Sequence, residues 1–100
     1  MRIRISNPQE IGRLIRAARK TAGLRQDDTA GAVGVSDVSL GHLEQGAPGA
    51  RLDNVLRILR ELGIGLYADV SDGVATKYEE LLHGKPLSPR TRKRASKEGA

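Results

Sequence analysis

The residues of this 100-residue chain whose types could do chemistry are mainly hydrogen-bonding side chains between positions 25 and 51. The chain has no cysteine, and neither of its two histidines, His42 and His83, has neighbours that would complete a metal site. No nucleophile or acid lies near His42, so hydrogen bonding suits it better than catalysis. We therefore expect no catalytic site, no metal and no cofactor, and we predict that the protein is not an enzyme. No apolar run reaches the roughly 20 residues of a membrane span, so we expect a cytoplasmic protein without a membrane partner.

Two short helices joined by a tight turn are predicted over residues 26–45. The first, QDDTAGAV, begins at Gln26, and Gly34 ends it because glycine adopts the left-handed conformation without a Cβ clash. Ser36 can cap the second helix, which runs to about Gln45. Two short helices joined in this way are the signature of a helix-turn-helix.

Two further helices complete a domain that we predict to span residues 8–63. Asn7 can cap the first of them, and Pro8 suits its first turn. The last has apolar residues at helical spacing over residues 52–62. Residues 1–7 precede the domain as an N-terminal arm. Because the chain has no Phe and no Trp, its core must be aliphatic.

Residues 64–70 change to a period of two and are predicted to form a strand. Its alternating apolar side chains are Ile64, Leu66, Ala68 and Val70. A lone strand leaves its backbone groups unpaired and needs a partner. Either residues 2–5 of the arm or the same strand of a second chain could supply one, and the sequence does not decide between them. Pairing between two chains would make the protein a homodimer.

The net charge of +5 belongs to the end of the chain. Six basic residues and one acidic residue follow position 84, which leaves residues 1–84 with 11 basic and 11 acidic side chains. The charge therefore does not by itself predict nucleic-acid binding by the folded part. Residues 71–100 are predicted to be a flexible C-terminal tail with at most one amphipathic turn. Its basic end, Lys85 to Lys97, either only solubilises the protein or contacts phosphates or a protein partner.

A set of residues at fixed spacing carries a resemblance to a known family. They are Gln26, Ala30, Gly34-Val35-Ser36, Leu40, Leu43-Glu44 and Gly46. In this pattern residues 8–63 resemble the lambda-repressor-like (Xre) helix-turn-helix family. Three features are most similar to HipB-type antitoxins: the entry segment IRISNPQEIG, the run LRILRELG followed directly by the strand IGLYADV, and the expected absence of a fifth helix.

The resemblance implies a mainly α fold, with a four-helix lambda-repressor-like domain, one C-terminal strand that pairs across a homodimer, and a disordered basic tail. It also implies a repressor that binds a palindromic double-stranded DNA operator of its own operon, with a HipA-type kinase toxin as protein partner. Two alternatives stay open. The protein could be a stand-alone Xre-family regulator without a toxin, or an antitoxin that binds its partner strongly and DNA weakly.

The resemblance also assigns roles to single residues. Gln26 matches the glutamine that binds a DNA phosphate at the start of the second helix. Arg51 matches an arginine that contacts the DNA backbone or the minor groove. Arg19 and Glu44 match an ion pair that joins the first and third helices. We expect that ion pair to stabilise the fold.

The third helix is predicted to contact DNA bases, and its exposed side chains determine which base groups it can contact. Asp37 either accepts a hydrogen bond from cytosine N4 or merely suits a helix start. Val38 can touch a thymine methyl or simply be exposed, whereas Ser39 and His42 can donate and are the better readers. This helix has no Lys or Arg, so affinity must come from flanking residues. The full predicted DNA-binding set is Arg25, Gln26, Ser36, Asp37, Val38, Ser39, His42 and Arg51.

Overall fold

The computed structural model describes residues 1–84, and within them it contains five helices and no strand. The basic segment from Lys85 onward, predicted to be disordered, lies outside the described residues. The helices are α1 (Pro8–Thr21), α2 (Gln26–Val33), α3 (Asp37–Glu44), α4 (Leu52–Glu61) and α5 (Asp72–His83). None of them is long and apolar enough to cross a membrane.

The ends of α1 to α3 lie where the local sequence predicts them. The Asn7 side chain accepts a hydrogen bond from the Glu10 N–H, and Pro8 occupies the first turn of α1. The Ser36 side chain caps α3 in the same way. Gly34 follows α2 with φ at 80°, the left-handed conformation that favours glycine. These signals act within a few residues, and so the sequence alone reveals them.

The first four helices pack around an aliphatic core inside a unit that spans Met1–Leu66. Helix α1 packs against α3, and α2 packs against both α3 and α4. The buried apolar side chains are Ile15, Ala30, Val33, Leu40, Leu43, Val55, Ile58 and Leu59. The predicted four-helix domain is therefore present, and its core holds α3 in a fixed position.

Two glycines allow α1 to lie close to the end of α3. A Cβ on Gly12 would lie 2.7 Å from the carbonyl oxygen of Glu44, and one on Gly46 would lie 2.7 Å from the Cα of Gln9. Atoms do not approach so closely without displacement. Gly12 shares one helical face with the buried Ile15 and Arg19, but no local spacing indicates that α3 approaches this face so closely.

The predicted strand at residues 64–70 is not formed in the single chain, where these residues have no regular secondary structure. No strand is present at residues 2–5 either, so the ladder suggested between the arm and this segment is absent. The physical reason is that a strand is defined by hydrogen bonds to a neighbouring strand. Ile64 packs partly against the core, whereas Leu66 and Val70 are exposed.

The expectation of no fifth helix is wrong, because α5 lies where the sequence predicts at most one amphipathic turn. Ser71 caps this helix by accepting a hydrogen bond of 3.3 Å from the Val74 N–H. The helix belongs to a second unit that begins at Tyr67, and none of its residues is buried. Ser71 and Asp72 suit the start of a helix, and this local signal indicates more than the single predicted turn.

Candidate nucleic-acid interface

Helix α3 is held by its buried face and presents a polar face outward. Leu40 is 0% exposed and Leu43 is buried beside it, so the rotation of the helix is fixed. Asp37, Val38 and His42 are exposed, as the sequence predicts. An eight-residue helix with one anchored face and one free polar face can be inserted into a groove of another molecule.

Ser36 and Ser39 have different roles at the start of α3. The Ser36 Oγ accepts the Ser39 N–H at 3.0 Å and donates to the Ser39 Oγ at 2.8 Å. The hydroxyl of Ser36 is thereby occupied in capping the helix. Ser39 uses its oxygen as the acceptor in this bond, so its own proton remains able to donate to a ligand.

Ser39 and His42 line a groove of about 280 Å³ between α3, the loop that follows it and the start of α4. Arg51 and Asn54 line the same groove, and the Asn54 side chain accepts a hydrogen bond from Arg57. The structure thus brings together two predicted base readers and the arginine predicted to contact the DNA backbone or the minor groove. Asn54 was missed in the sequence, because nothing local indicates that the start of α4 faces α3.

The ion pair expected between α1 and α3 is present and largely buried. The Arg19 Nε donates to Glu44 Oε2 at 2.7 Å, and the Arg19 Nη2 donates to Glu44 Oε1 at 3.0 Å. A third donation, from Nη1 to the Leu24 carbonyl at 2.9 Å, ties Arg19 to the turn before α2. Arg19 is 8% and Glu44 4% exposed, so this pair is shielded from water.

Gln26 belongs to the same hydrogen-bond network. The sequence predicts only a phosphate-binding role for this residue. Its amide nitrogen donates to Glu44 Oε1 at 3.1 Å, and its side chain lies beside Gly41 of α3. The bond uses one of the two amide protons, so the second proton and the carbonyl oxygen remain for a ligand. Glu44 therefore orients the residue that is predicted to bind a phosphate.

The network shifts the ionisation of both members of the ion pair. Burial raises the pKa of the Glu44 carboxyl, but hydrogen bonds from Arg19 and Gln26 outweigh it. Together with the positive charges of Arg19 and Arg16, they hold that pKa below its ordinary value. The hydrogen bond to Glu44 raises the pKa of Arg19. Both groups are charged at neutral pH, and they form a preorganised support beneath Gln26.

The two arginines predicted to contact DNA each precede a helix and pair with an aspartate two residues later. The Arg25 Nε lies 3.2 Å from Asp27 Oδ1, and the Arg51 Nη2 lies 2.8 Å from Asp53 Oδ2. Desolvation raises the pKa of Asp53, but the hydrogen bond and charge of Arg51 outweigh it and lower that pKa. Neither aspartate belongs to the predicted site, although the Arg-x-Asp spacing occurs twice in the sequence, at the starts of α2 and α4.

A comparison of sequences identifies the class of protein. A family model described as a helix-turn-helix domain matches residues 10–66. A relative, "Uncharacterized HTH-type transcriptional regulator y4mF" of Sinorhizobium fredii (strain NBRC 101917 / NGR234), is 43% identical over 63 residues, which are 63% of this chain and 83% of the relative. The chain belongs to the helix-turn-helix domain family, and that part of the predicted resemblance is confirmed.

Solved structures share the fold. One described as "Structure of HipA-HipB-O2-O3 complex" aligns with a TM-score of 0.64 at 17% identity, covering 71% of this chain and all of the other. A "HipB-O4 20mer complex" aligns with a TM-score of 0.63 at the same identity, with coverage of 71% and 100%. ComR from Streptococcus suis aligns with a TM-score of 0.55 at 18% identity, covering 94% of this chain and 33% of ComR.

Proposed function

We propose that the protein is a DNA-binding transcriptional regulator that acts as a homodimer and represses its own operon. The observation that carries this proposal is the placement of α3 within a helix-turn-helix domain. Its apolar face is buried at Leu40 and Leu43, and its polar face is exposed. In proteins of this architecture the second helix of the motif lies in the major groove.

Base reading in this proposal falls to Ser39 and His42. Both line the groove beside Arg51, so they face the side on which a phosphate contact is also available. Asp37 and Val38 extend the same surface toward the start of α3 and can contact a cytosine amino group and a thymine methyl. Ser36 contributes by capping the helix that carries these residues.

Phosphate binding falls to residues outside α3, because α3 contains no Lys or Arg. Gln26 is held by Glu44 with one amide proton free, and Arg25 and Arg51 are exposed on neighbouring helix starts. Phosphate contacts supply much of the affinity of a protein for DNA. With residues 1–84 carrying equal numbers of acidic and basic side chains, we expect modest affinity for a single half-site.

Dimerisation through residues 64–70 would let two copies of α3 read a palindromic operator. Leu66 and Val70 are exposed, and residues 1–84 contain no strand with which residues 64–70 could pair, which supports pairing between two chains. A two-fold axis would place the half-sites about one helical turn of DNA apart.

The narrower proposal is that the protein is the antitoxin of a HipA-type kinase toxin. It is supported by the fold shared with HipB and by the neutral charge of residues 1–84, which suits a protein partner as well as DNA. The alternative is a stand-alone regulator, which the relative y4mF favours by its description.

The experiment is a fluorescence anisotropy titration of the full chain with the duplex that lies upstream of its own gene. Gln26→Ala is expected to weaken binding to this duplex and to a random duplex alike, about tenfold, because a phosphate contact carries no sequence information. His42→Ala is expected to change the preference at one base pair by about fivefold or more. Two chains should bind each palindromic duplex.

The matched control is His83→Ala, which removes the other histidine, an exposed residue of α5. It should leave both affinities unchanged, and circular dichroism should show that every variant is folded. If neither Gln26→Ala nor His42→Ala alters binding to the upstream duplex, the proposed docking of α3 is wrong.

A further inference from the structure

The same arrangement of arginine and aspartate occurs at the start of α2 and at the start of α4. Arg25 precedes α2 and pairs with Asp27, and Arg51 precedes α4 and pairs with Asp53. We call each pair an Arg-Asp clasp. Two separate helices carry this arrangement, and its arginines are the two that the proposed function assigns to DNA phosphates.

The two clasps match contact by contact. In each, the arginine Nε and Nη2 donate to the two oxygens of the carboxylate, at 3.2 and 3.2 Å for Arg25 and at 3.1 and 2.8 Å for Arg51. In each, the aspartate Oδ1 also accepts the backbone N–H of the next residue at 2.9 Å. That bond fixes the carboxylate so that it faces the preceding arginine.

In each clasp the carboxylate occupies the Nε–Nη2 edge of the guanidinium, which is one of the two edges at which arginine offers parallel N–H donors to a phosphate. Carboxylate and phosphate are both recognised by two parallel N–H donors of arginine, so they compete for the same atoms. The arginine side chains are 77% and 76% exposed, which means that the surrounding water screens each clasp. Exposed ion pairs of this kind are weak, and a phosphate in the right place can replace the carboxylate.

We propose that Asp27 and Asp53 are internal competitors of DNA phosphates. They neutralise Arg25 and Arg51 in the free protein and lower its affinity for any duplex. Phosphate contacts supply essentially all of non-specific binding. The clasps therefore lower the affinity of the protein for random DNA. Binding to an operator persists because base contacts add to it. This inference rests on the proposed function and assigns a role to two residues that it did not use.

A purely structural role for the aspartates makes a different prediction. A carboxylate in the first turn of a helix is stabilised by the helix dipole, and Asp27 and Asp53 both occupy that turn. If this were their only role, removing the charge would lower the stability of the fold and leave arginine-dependent DNA binding unchanged. Asp28 lies in the same turn of α2 and has no clasp with Arg25, so it reports the general effect of a charge at this place.

The test compares Asp27→Asn with Asp28→Asn in the full chain, using the upstream duplex and a random duplex. Asparagine keeps the oxygen that accepts the next backbone N–H. Asp27→Asn is expected to raise the affinity for both duplexes about two- to fivefold, the range of an exposed ion pair. Asp28→Asn should raise it clearly less. Asp53→Asn should behave as Asp27→Asn does, with Glu61→Gln at the other end of α4 as its control.

A double-mutant cycle with Arg25→Ala isolates the clasp from general charge effects. In the Arg25→Ala background, Asp27→Asn should no longer raise the affinity beyond the effect of Asp28→Asn. The inference is overturned if Asp27→Asn and Asp28→Asn change the DNA affinity equally, or if Asp27→Asn weakens DNA binding. It is also overturned if Asp27→Asn raises the affinity as much in the Arg25→Ala background as in the unaltered chain. If the unaltered chain binds neither duplex while the asparagine variants remain folded and also fail to bind, the proposed function itself is wrong.

Discussion

Glu44 connects the stability of the fold with the orientation of Gln26, the side chain proposed to bind a phosphate. It accepts hydrogen bonds from Arg19 on α1 and from Gln26 on α2, while it lies at the end of α3. Removing one partner of a buried ion pair leaves an uncompensated charge, at a cost of about 3–5 kcal/mol. The same change would also free the Gln26 amide to rotate. Variants of Glu44 are therefore expected to affect both folding and DNA binding.

The lowered pKa of Glu44 predicts how stability depends on pH. The group binds its proton less readily in the folded than in the unfolded state, so the unfolded state takes up protons first as pH falls. Its contribution is complete above the ordinary pKa of a glutamate, about 4.3, and is lost as pH falls through the lower folded value. Glu44→Gln should lower the free energy of unfolding in urea at pH 7, and the gap to the unaltered chain should narrow below about pH 4.

The control for this measurement is Glu61→Gln, an exposed glutamate at the end of α4. It should alter the free energy of unfolding little at either pH. A gap between Glu44→Gln and the unaltered chain that stays constant from pH 7 down to pH 3 would contradict the assigned ionisation.

At the residue scale, the sequence predicts pairings that belong to a familiar pattern and misses those that depend on packing. The pair Arg19 and Glu44 follows from the resemblance to the helix-turn-helix family. The bond from Gln26 to Glu44 requires the crossing of α2 and α3, which no local spacing encodes. Asp27 and Asp53 each follow their arginine by two residues, so the Arg-x-Asp spacing at these two helix starts is a local signal in the sequence.

At the scale of elements, signals that act within one turn predict the helices well. Asn7, Ser36 and Gly34 mark helix ends through bonds and backbone angles that they make themselves. Residues 64–70 show the limit, because their alternation specifies a strand only if a second strand is supplied. Helix α5 shows another limit. Its cap was visible at Ser71, but its composition resembled that of a tail.

The close approach of α1 and α3 predicts the effect of Gly12→Ala. Alanine favours an isolated helix over glycine by up to about 1 kcal/mol. At this position its Cβ would meet the carbonyl oxygens of Leu43 and Glu44, so α1 must move away from α3. Crowding of this kind typically costs about 1–3 kcal/mol. Gly12→Ala should therefore lower the free energy of unfolding measured in urea.

Gly31→Ala is the matched control, because Gly31 lies inside α2 and a Cβ there would meet nothing within 4 Å. That variant should raise the free energy of unfolding by up to about 1 kcal/mol. An increase in stability for both variants would show that α1 and α3 are not in close contact at Gly12.

At the scale of the whole molecule, the described residues combine a balanced charge with exposed apolar side chains. Residues 1–84 are neutral overall, and the Arg-Asp clasps contribute to that balance on the proposed DNA side. The unit that begins at Tyr67 exposes four large apolar side chains along α5, which are Val74, Tyr78, Leu81 and Leu82. A chain whose described residues are neutral overall and which exposes apolar residues along α5 is suited to bind protein as well as the proposed DNA. Neither property is visible in the net charge alone.

The proposed toxin partner leads to a prediction for the intact protein. Co-expressed with the product of the neighbouring gene and purified through a tag on that product, the chain should be recovered in a stable complex that persists in size-exclusion chromatography. Gln26→Ala should be recovered equally well while binding the upstream duplex about tenfold more weakly, since its side chain is assigned to a phosphate. Loss of the complex in Gln26→Ala would mean that the DNA-binding and partner-binding surfaces overlap. If the neighbouring product is recovered alone from cells that also contain the folded chain, the protein is a stand-alone regulator and the proposed toxin partner is wrong.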